Sequence, residues 1–242
     1  MGNRTVVVTG GSSGIGRAVA ARFVADGADV VVTGRRRDVL EDAARELGAR
    51  AVVCDAADPA AVEAALDQFP DRVDVLVNNA GANTDLSRPD ASDLRGLAAD
   101  WQANLSANLL SAVLTTTALS DRLVPGGTVV LIGSIAADRG SRSGSYGAAK
   151  AALAAWNVDL SAELGARRIT SNVVSPGFVA DTAFFGGQLS DERRAAHVAA
   201  TRNKREGTPA DVADAVFFLA SPGARHITGQ VLNVNGGAVT TR

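Results

Sequence analysis

Two residues set the chemistry this chain could perform. Tyr146 is the only tyrosine, and Lys150 is one of two lysines in a chain whose other basic residues are mainly arginine. They stand four residues apart in Ser145-Tyr146-Gly147-Ala148-Ala149-Lys150. On a helix that spacing puts both on one face, so phenol and ammonium can approach one another. A nearby cation favours phenolate over phenol and should draw the tyrosine pKa down, as proton transfer near neutral pH requires. Arginine would hold its charge but could not release a proton, so a lysine here suits acid–base work. The alternative reading is a surface pair without function, and the rest of the chain bears on that choice.

A second group could hold an anion. Thr9-Gly10-Gly11-Ser12-Ser13-Gly14-Ile15-Gly16 lies between an apolar β-branched run and an amphipathic segment. Gly10 and Gly14 would let the backbone turn tightly and approach a pyrophosphate, and Gly16 would let helix and strand pack closely. The helix that follows would offer free N–H groups and the positive end of its dipole. The spacing is G-x3-G-x-G, and the G-K-[ST] ending of a Walker loop is missing. At the second strand end, where an NAD fold places an acid for the ribose 2′-hydroxyl, the chain has Thr33-Gly34-Arg35-Arg36-Arg37. Arg35 or Arg36 could bind a 2′-phosphate bidentately. Positive charge at a helix start also opposes the helix dipole unless an anion is bound there. NADP(H) is therefore expected over NAD(H).

These groups need a scaffold, and the hydrophobic pattern supplies one. Strands are expected at residues 4–9, 30–33, 51–54, 73–77, 128–132, 169–174 and 231–234. Helices are expected at 15–25, 38–47, after the Asp58-Pro59 cap, at 101–123, from Tyr146 to Leu164, and at 210–219. Gly126-Gly127 should separate the long helix from the strand after it. Residues 181–206 mix helical patches with polar and glycine positions and read as an irregular insertion. Alternation of this kind predicts an α/β fold: one Rossmann-type, doubly wound parallel sheet of about seven strands, with helices on both faces. Residues 1–242 read as a single domain with 181–206 as a substrate loop or lid.

Composition narrows the partners. The chain has 242 residues, a formal net charge of −2 and 46% hydrophobic content. That balance gives no reason to expect nucleic acid or an anionic membrane. A lone cysteine, Cys54 in Ala51-Val52-Val53-Cys54, reads as a small buried residue. With no signal-peptide pattern and no long apolar run, a cytoplasmic protein is expected. His197 and His226 lack carboxylate or cysteine partners at ligand spacing, so they read as surface residues and no metal is assigned.

The glycine loop, Asn78-Asn79-Ala80-Gly81 and Tyr-x3-Lys, in that order, resemble the short-chain dehydrogenase/reductase family over essentially the whole chain. The resemblance implies hydride transfer between a nicotinamide and a ketone or secondary alcohol. It implies catalytic roles for Tyr146, Lys150, Ser134 and Asn108. Ser134 lies twelve residues before Tyr146, one fewer than is common in the family, which suggests a trimmed loop around 138–144; Ser141, Ser143 and Ser145 rank below it. Asn108 stands seven residues after Trp101, and Asn104 is a weaker match. Implied cofactor contacts are Gly10, Ser12, Ser13, Gly14, Ile15, Gly16, Arg35, Arg36, Asp55, Ala56, Asn79, Ala80, Gly81, Tyr146, Lys150, Pro176, Gly177, Val179 and Thr182. The family's threonine position is held by Asp181, so Asp181 and Thr182 compete for the nicotinamide. A 3-oxoacyl or polyketide-type substrate is expected; a free ketone, sugar or cyclic alcohol is the alternative, and a non-catalytic NADP(H) sensor the alternative of another class. The resemblance also implies a homotetramer or homodimer, with the Trp101–Leu123 and Tyr146–Leu164 helices as a dimer face. Phe184-Phe185 could line the substrate site. The basic cluster of Arg193, Arg194, Arg202, Lys204 and Arg205 reads as a solvated face, the alternative being a surface for an acidic carrier protein or its phosphopantetheine arm, in which case the substrate is carrier-bound.

Overall fold

Seven strands form one sheet, and the clearest of them are short β-branched runs such as Thr5–Thr9 and Asp29–Gly34. The computed structural model describes residues 4–87, 91–141, 144–180, 182 and 189–240. The strands are β1 (Thr5–Thr9), β2 (Asp29–Gly34), β3 (Arg50–Val53), β4 (Val73–Asn78), β5 (Leu123–Ile132), β6 (Thr170–Pro176) and β7 (Val231–Val234). All pair in parallel, in the order β3-β2-β1-β4-β5-β6-β7. The helices are α1 (Gly14–Ala25), α2 (Arg37–Leu47), α3 (Pro59–Ala65), α4 (Leu94–Leu105), α5 (Ser111–Leu119), α6 (Ala136–Arg139), α7 (Ser145–Gly165), α8 (Asp191–Ala200) and α9 (Pro209–Leu219).

Strands buried on both sides send alternate residues to opposite faces. Val6, Val8, Val30 and Val32 pack with Val19 and Phe23 of α1, Leu40 of α2 and Val212 and Val216 of α9. Val7, Val31, Leu76 and Leu131 pack the other way, with Val62 of α3, Leu119 of α5 and Leu153, Leu160 and Leu164 of α7. No helix of the described residues is long and apolar enough to cross a membrane. Because β2 lies on one side of β1 and β4 on the other, the loops leaving β1 and β4 diverge and open a crevice at the strands' carboxyl ends.

Three expected elements differ. The long helix expected at 101–123 begins earlier, at Leu94, where the Asp93 side chain accepts from Gly96 N. It is then interrupted by a π-helical turn, Ser106–Leu110, before α5. The strand after it starts at Leu123, with Gly126-Gly127 inside a register shift against β4 rather than ahead of the strand. The 181–206 segment is not irregular throughout: Ser190 accepts from Arg193 N and starts α8, whose exposed face hid its periodicity. At the Asp58-Pro59 site the side chain of Asp58 accepts from Ala60 N, as expected.

Candidate active site

The glycine loop crosses the crevice held by hydrogen bonds and by close backbone packing. Gly10 and Gly14 have φ of 66° and 52°, values that side-chain-bearing residues rarely adopt. Asn79 Nδ2 donates to Thr9 O and Gly10 O, while Thr9 Oγ1 accepts from Asn79 N and Ala80 N. These bonds lace the end of β1 to the end of β4. Gly16 stands behind the loop: a Cβ there would lie 2.3 Å from Gly10 O and 2.4 Å from Asn79 Nδ2. It shapes the cradle without lining it. At the start of α1, Ser13 makes no side-chain cap and the first turn has no acidic residue, so the N–H groups are open to an anion.

A cleft of about 880 Å³ runs from this loop to the end of α7. That is at the upper end of the range typical of small-molecule sites. It is lined by Gly10, Ser12, Ser13, Gly14, Ile15, Arg35, Arg36, Asp55, Ala56, Asn79, Ala80, Gly81, Asn108, Ser134, Tyr146, Lys150, Pro176, Gly177, Val179 and Thr182. The fold thus gathers nearly every residue singled out above into one place. Arg35 reaches within 3.9 Å of Asp55 across the β2 and β3 ends and is 73% exposed. Thr182 donates to Val179 O, with its methyl 3.5 Å from a Cβ built on Gly14; Asp181 lies outside the described residues. So do Phe184 and Phe185.

At the deep end Tyr146 is 6% exposed and hydrogen-bonds Ser134, whose Oγ also accepts from Ala136 N. Lys150 is 5% exposed; its Nζ donates to Ile132 O at 2.8 Å and lies 6.0 Å from the Tyr146 ring centre. One expectation is reversed here. Burial pushes the Tyr146 phenol up to about 12, against the lowering effect of the Ser134 hydrogen bond. Burial also pulls the Lys150 ammonium down to about 8. In the free protein, withdrawal from water outweighs any mutual attraction, because both groups are buried and the ammonium is turned to a carbonyl.

Lys150 should therefore leave a mark on stability. Its folded pKa lies below the ordinary lysine value of 10.5, so the unfolded chain binds the extra proton between pH 8 and 10.5. Stability should rise across that window, by about 3 kcal/mol. From pH 10 to 12 it should fall, because the buried phenol keeps a proton that the unfolded chain gives up. Urea unfolding of wild type and Lys150→Met at pH 7.5, 9 and 10 checks this. A rise that persists in the variant would assign it to another group.

Asn108 sits in the π-helical turn, buried, and its Nδ2 donates to Ala82 O and Asn104 O. Single π turns inside helices are frequent at functional sites because they re-aim one side chain. Asn108 Oδ1 is buried without a protein partner. It lies 2.6 Å, and Lys150 Nζ 3.3 Å, from a Cβ built on Gly81, so both polar ends face the same point beside that glycine. Asn104, also fully buried, serves elsewhere: it bonds Asp85, Thr84 and Ser145. Ser141 Oγ accepts from Gly147 N, and Ser145 Oγ donates to Asp85; Ser143 lies outside the described residues, and Ser134 is hydrogen-bonded to Tyr146.

Sequence reasoning missed Thr84, Leu86, Ser106 and Ala107, all of which line the cleft. Their types carry no chemical signature, and only the π turn and the loop before α4 bring them there. His197 is not a plain surface residue: it stacks on Phe178, ring centres 5.0 Å apart. Cys54 is buried with its thiol directed at Ala61 O, and burial raises its pKa. Arg194 and Arg205 of the basic cluster pair with Glu206 and Asp211 at the surface.

The family profile described as enoyl-(acyl carrier protein) reductase matches residues 10–239. A 3-oxoacyl-[acyl-carrier-protein] reductase of Salmonella typhimurium is 35% identical over 242 residues, 97% of this chain and 96% of its own. A Brucella melitensis structure titled short-chain dehydrogenase/reductase, glucose/ribitol dehydrogenase, superposes with TM-score 0.88 at 32% identity, covering 99% of this chain and 98% of that one. A short chain dehydrogenase from Burkholderia cenocepacia J2315, solved in complex with NADP, gives TM-score 0.82 at 36% identity and 98% coverage of both chains.

Proposed function

We infer, because this chain belongs to the short-chain dehydrogenase/reductase family, that it is an NADP(H)-dependent enzyme interconverting a ketone and a secondary alcohol. The observation that carries the reading is the buried Tyr146–Ser134 hydrogen bond beside Lys150, at one end of a cleft whose other end is a phosphate cradle. NADP(H), which the Burkholderia relative binds, supplies the hydride. Backbone N–H groups from Ser12 to Ile15 would hold its pyrophosphate, and Arg35 and Arg36 its 2′-phosphate. Of the other cleft residues, Asp55 and Ala56 would hold the adenine end, Asn79, Ala80 and Gly81 the sugar, and Pro176, Gly177, Val179 and Thr182 the nicotinamide.

The chain's own groups manage the proton. Ser134 donates to the carbonyl oxygen, where negative charge develops. Tyr146, a phenol kept protonated through the neutral range, gives its proton to that oxygen. Lys150, with a pKa near 8, can restore the proton, and Asn108 Oδ1, buried without a protein partner, would accept from a water that relays it from solvent. The Salmonella relative's name supports a 3-oxoacyl thioester as substrate, and the Brucella title supports a sugar or polyol. Exposed Leu110 and Val158 support a dimer face on the α4–α5 and α7 helices.

The test is NADPH absorbance decay against 3-oxoacyl thioesters, cyclic ketones and keto-sugars. Turnover on thioesters alone selects the first substrate class, and tight NADPH binding without turnover would favour the sensor reading. For the cofactor, Arg35→Ala with Arg36→Ala should raise the KM for NADPH about tenfold or more, the loss of a charge-assisted contact. The KM for NADH should change by less than about threefold. Equal effects on both cofactors would remove the 2′-phosphate assignment.

A further inference from the structure

Asp85, Asn104 and Ser145 come from three separate pieces of chain and meet beside Tyr146. Asn104 is fully buried on α4. Its Nδ2 donates to Asp85 Oδ1 at 2.7 Å and to Ser145 Oγ at 2.9 Å, while its Oδ1 accepts from Thr84 N at 3.2 Å. Ser145 Oγ lies 3.0 Å from each carboxylate oxygen of Asp85. Ser145 is the first residue of α7, the residue before Tyr146. Its predecessor Gly144 has φ 85° and no side chain to cap the helix, and the first turn of α7 holds no acidic residue. A carboxylate sixty residues away thus faces the positive end of a 21-residue helix.

Fixing a half-buried carboxylate on a fully buried amide costs free energy that apolar packing would not. What such a cluster provides is direction: each bond fixes an angle as well as a distance. Thr84 and Leu86, on either side of Asp85, line the cleft, and Asn104 and Asn108 lie one helical turn apart on the helix wall beside it. We propose that Asp85, acting through Asn104 and Ser145, is a positioning residue that holds Tyr146 where it must stand to transfer its proton. This rests on the reading of Tyr146 as the proton-transfer group.

Asp85→Ala should lower kcat about tenfold to a hundredfold, the effect of a misplacement of about 1 Å, with KM for the ketone and NADPH affinity within about threefold of wild type. Asp85→Asn keeps an oxygen that can accept from Asn104 and Ser145, and should recover most of that loss. Because Tyr146 is the sole tyrosine, 3-fluorotyrosine labelling gives one ¹⁹F resonance that reports its position without turnover. That line should shift or broaden in Asp85→Ala and return towards wild type in Asp85→Asn. If Asp85→Ala does not fold, Ser145→Ala cuts the same link and should move the line in the same way. An unchanged line and a kcat within twofold of wild type overturn the proposal. So does a kcat loss matched by equal loss of NADPH affinity and not rescued by asparagine. A wild type inactive on every ketone would sink the catalytic reading instead, and the ¹⁹F line would still decide whether Asp85 positions Tyr146.

Discussion

Tyr146→Phe is expected to reduce kcat by about 10³-fold or more while the protein stays folded and still binds NADPH. General acid catalysis by one positioned side chain accounts for about 10²–10⁴ in rate, and removing the hydroxyl also takes away the hydrogen bond to Ser134. The fold should tolerate the change. Phenylalanine fills the same buried volume, and Ser134 Oγ keeps its bond from Ala136 N, so about 1 kcal/mol of stability is at stake. Stopped-flow hydride transfer with the best ketone of the panel, beside an NADPH fluorescence titration, separates the two effects. A variant that keeps a tenth of wild-type kcat would remove Tyr146 from the proton path. Lost NADPH binding would mean that the phenol holds the cofactor rather than the proton.

Gly16→Ala should damage the opposite end of the cleft. Its Cβ would sit 2.3 Å from Gly10 O and 2.4 Å from Asn79 Nδ2, and both atoms are committed to the bond that ties the loop to β4. Neither contact is the free end of a flexible side chain, so the loop and α1 must part. Overpacking of this sort costs about 1–3 kcal/mol. The melting temperature should fall by about 2–4 °C for each of those kcal/mol. The displaced N–H groups should weaken NADPH binding by at least about tenfold, one misaligned charge-assisted contact being worth about 1.5–3 kcal/mol. Gly165→Ala is the control, because a Cβ there meets nothing within 4 Å at the end of α7. It should leave NADPH affinity unchanged and stability equal or slightly higher. Equal NADPH affinity in the two variants would show that the close approach at Gly16 does not shape the cradle.

Much of this protein is written locally. Short valine-rich runs ending in glycine read as buried strands, and Ile15, Val19 and Phe23 recur at helical spacing, so the alternation of strands and helices follows from local pattern. The glycine loop and the Tyr146–Lys150 spacing are local as well: one is a backbone requirement, the other a single turn of α7. Tertiary structure decided what depends on residues far apart in the chain. The π turn at 106–110 that turns Asn108 towards Gly81 follows no sequence period. Nor could spacing show that Asn104 and Ser145, ranked below Asn108 and Ser134, are tied to Asp85. The direction of the Tyr146 pKa shift depends on tertiary structure for the same reason. Spacing shows that phenol and ammonium are neighbours. The burial of both, which drives their pKa values towards the neutral forms, is set by α4, β5 and the 80–86 loop closing around them, and no local pattern contains that.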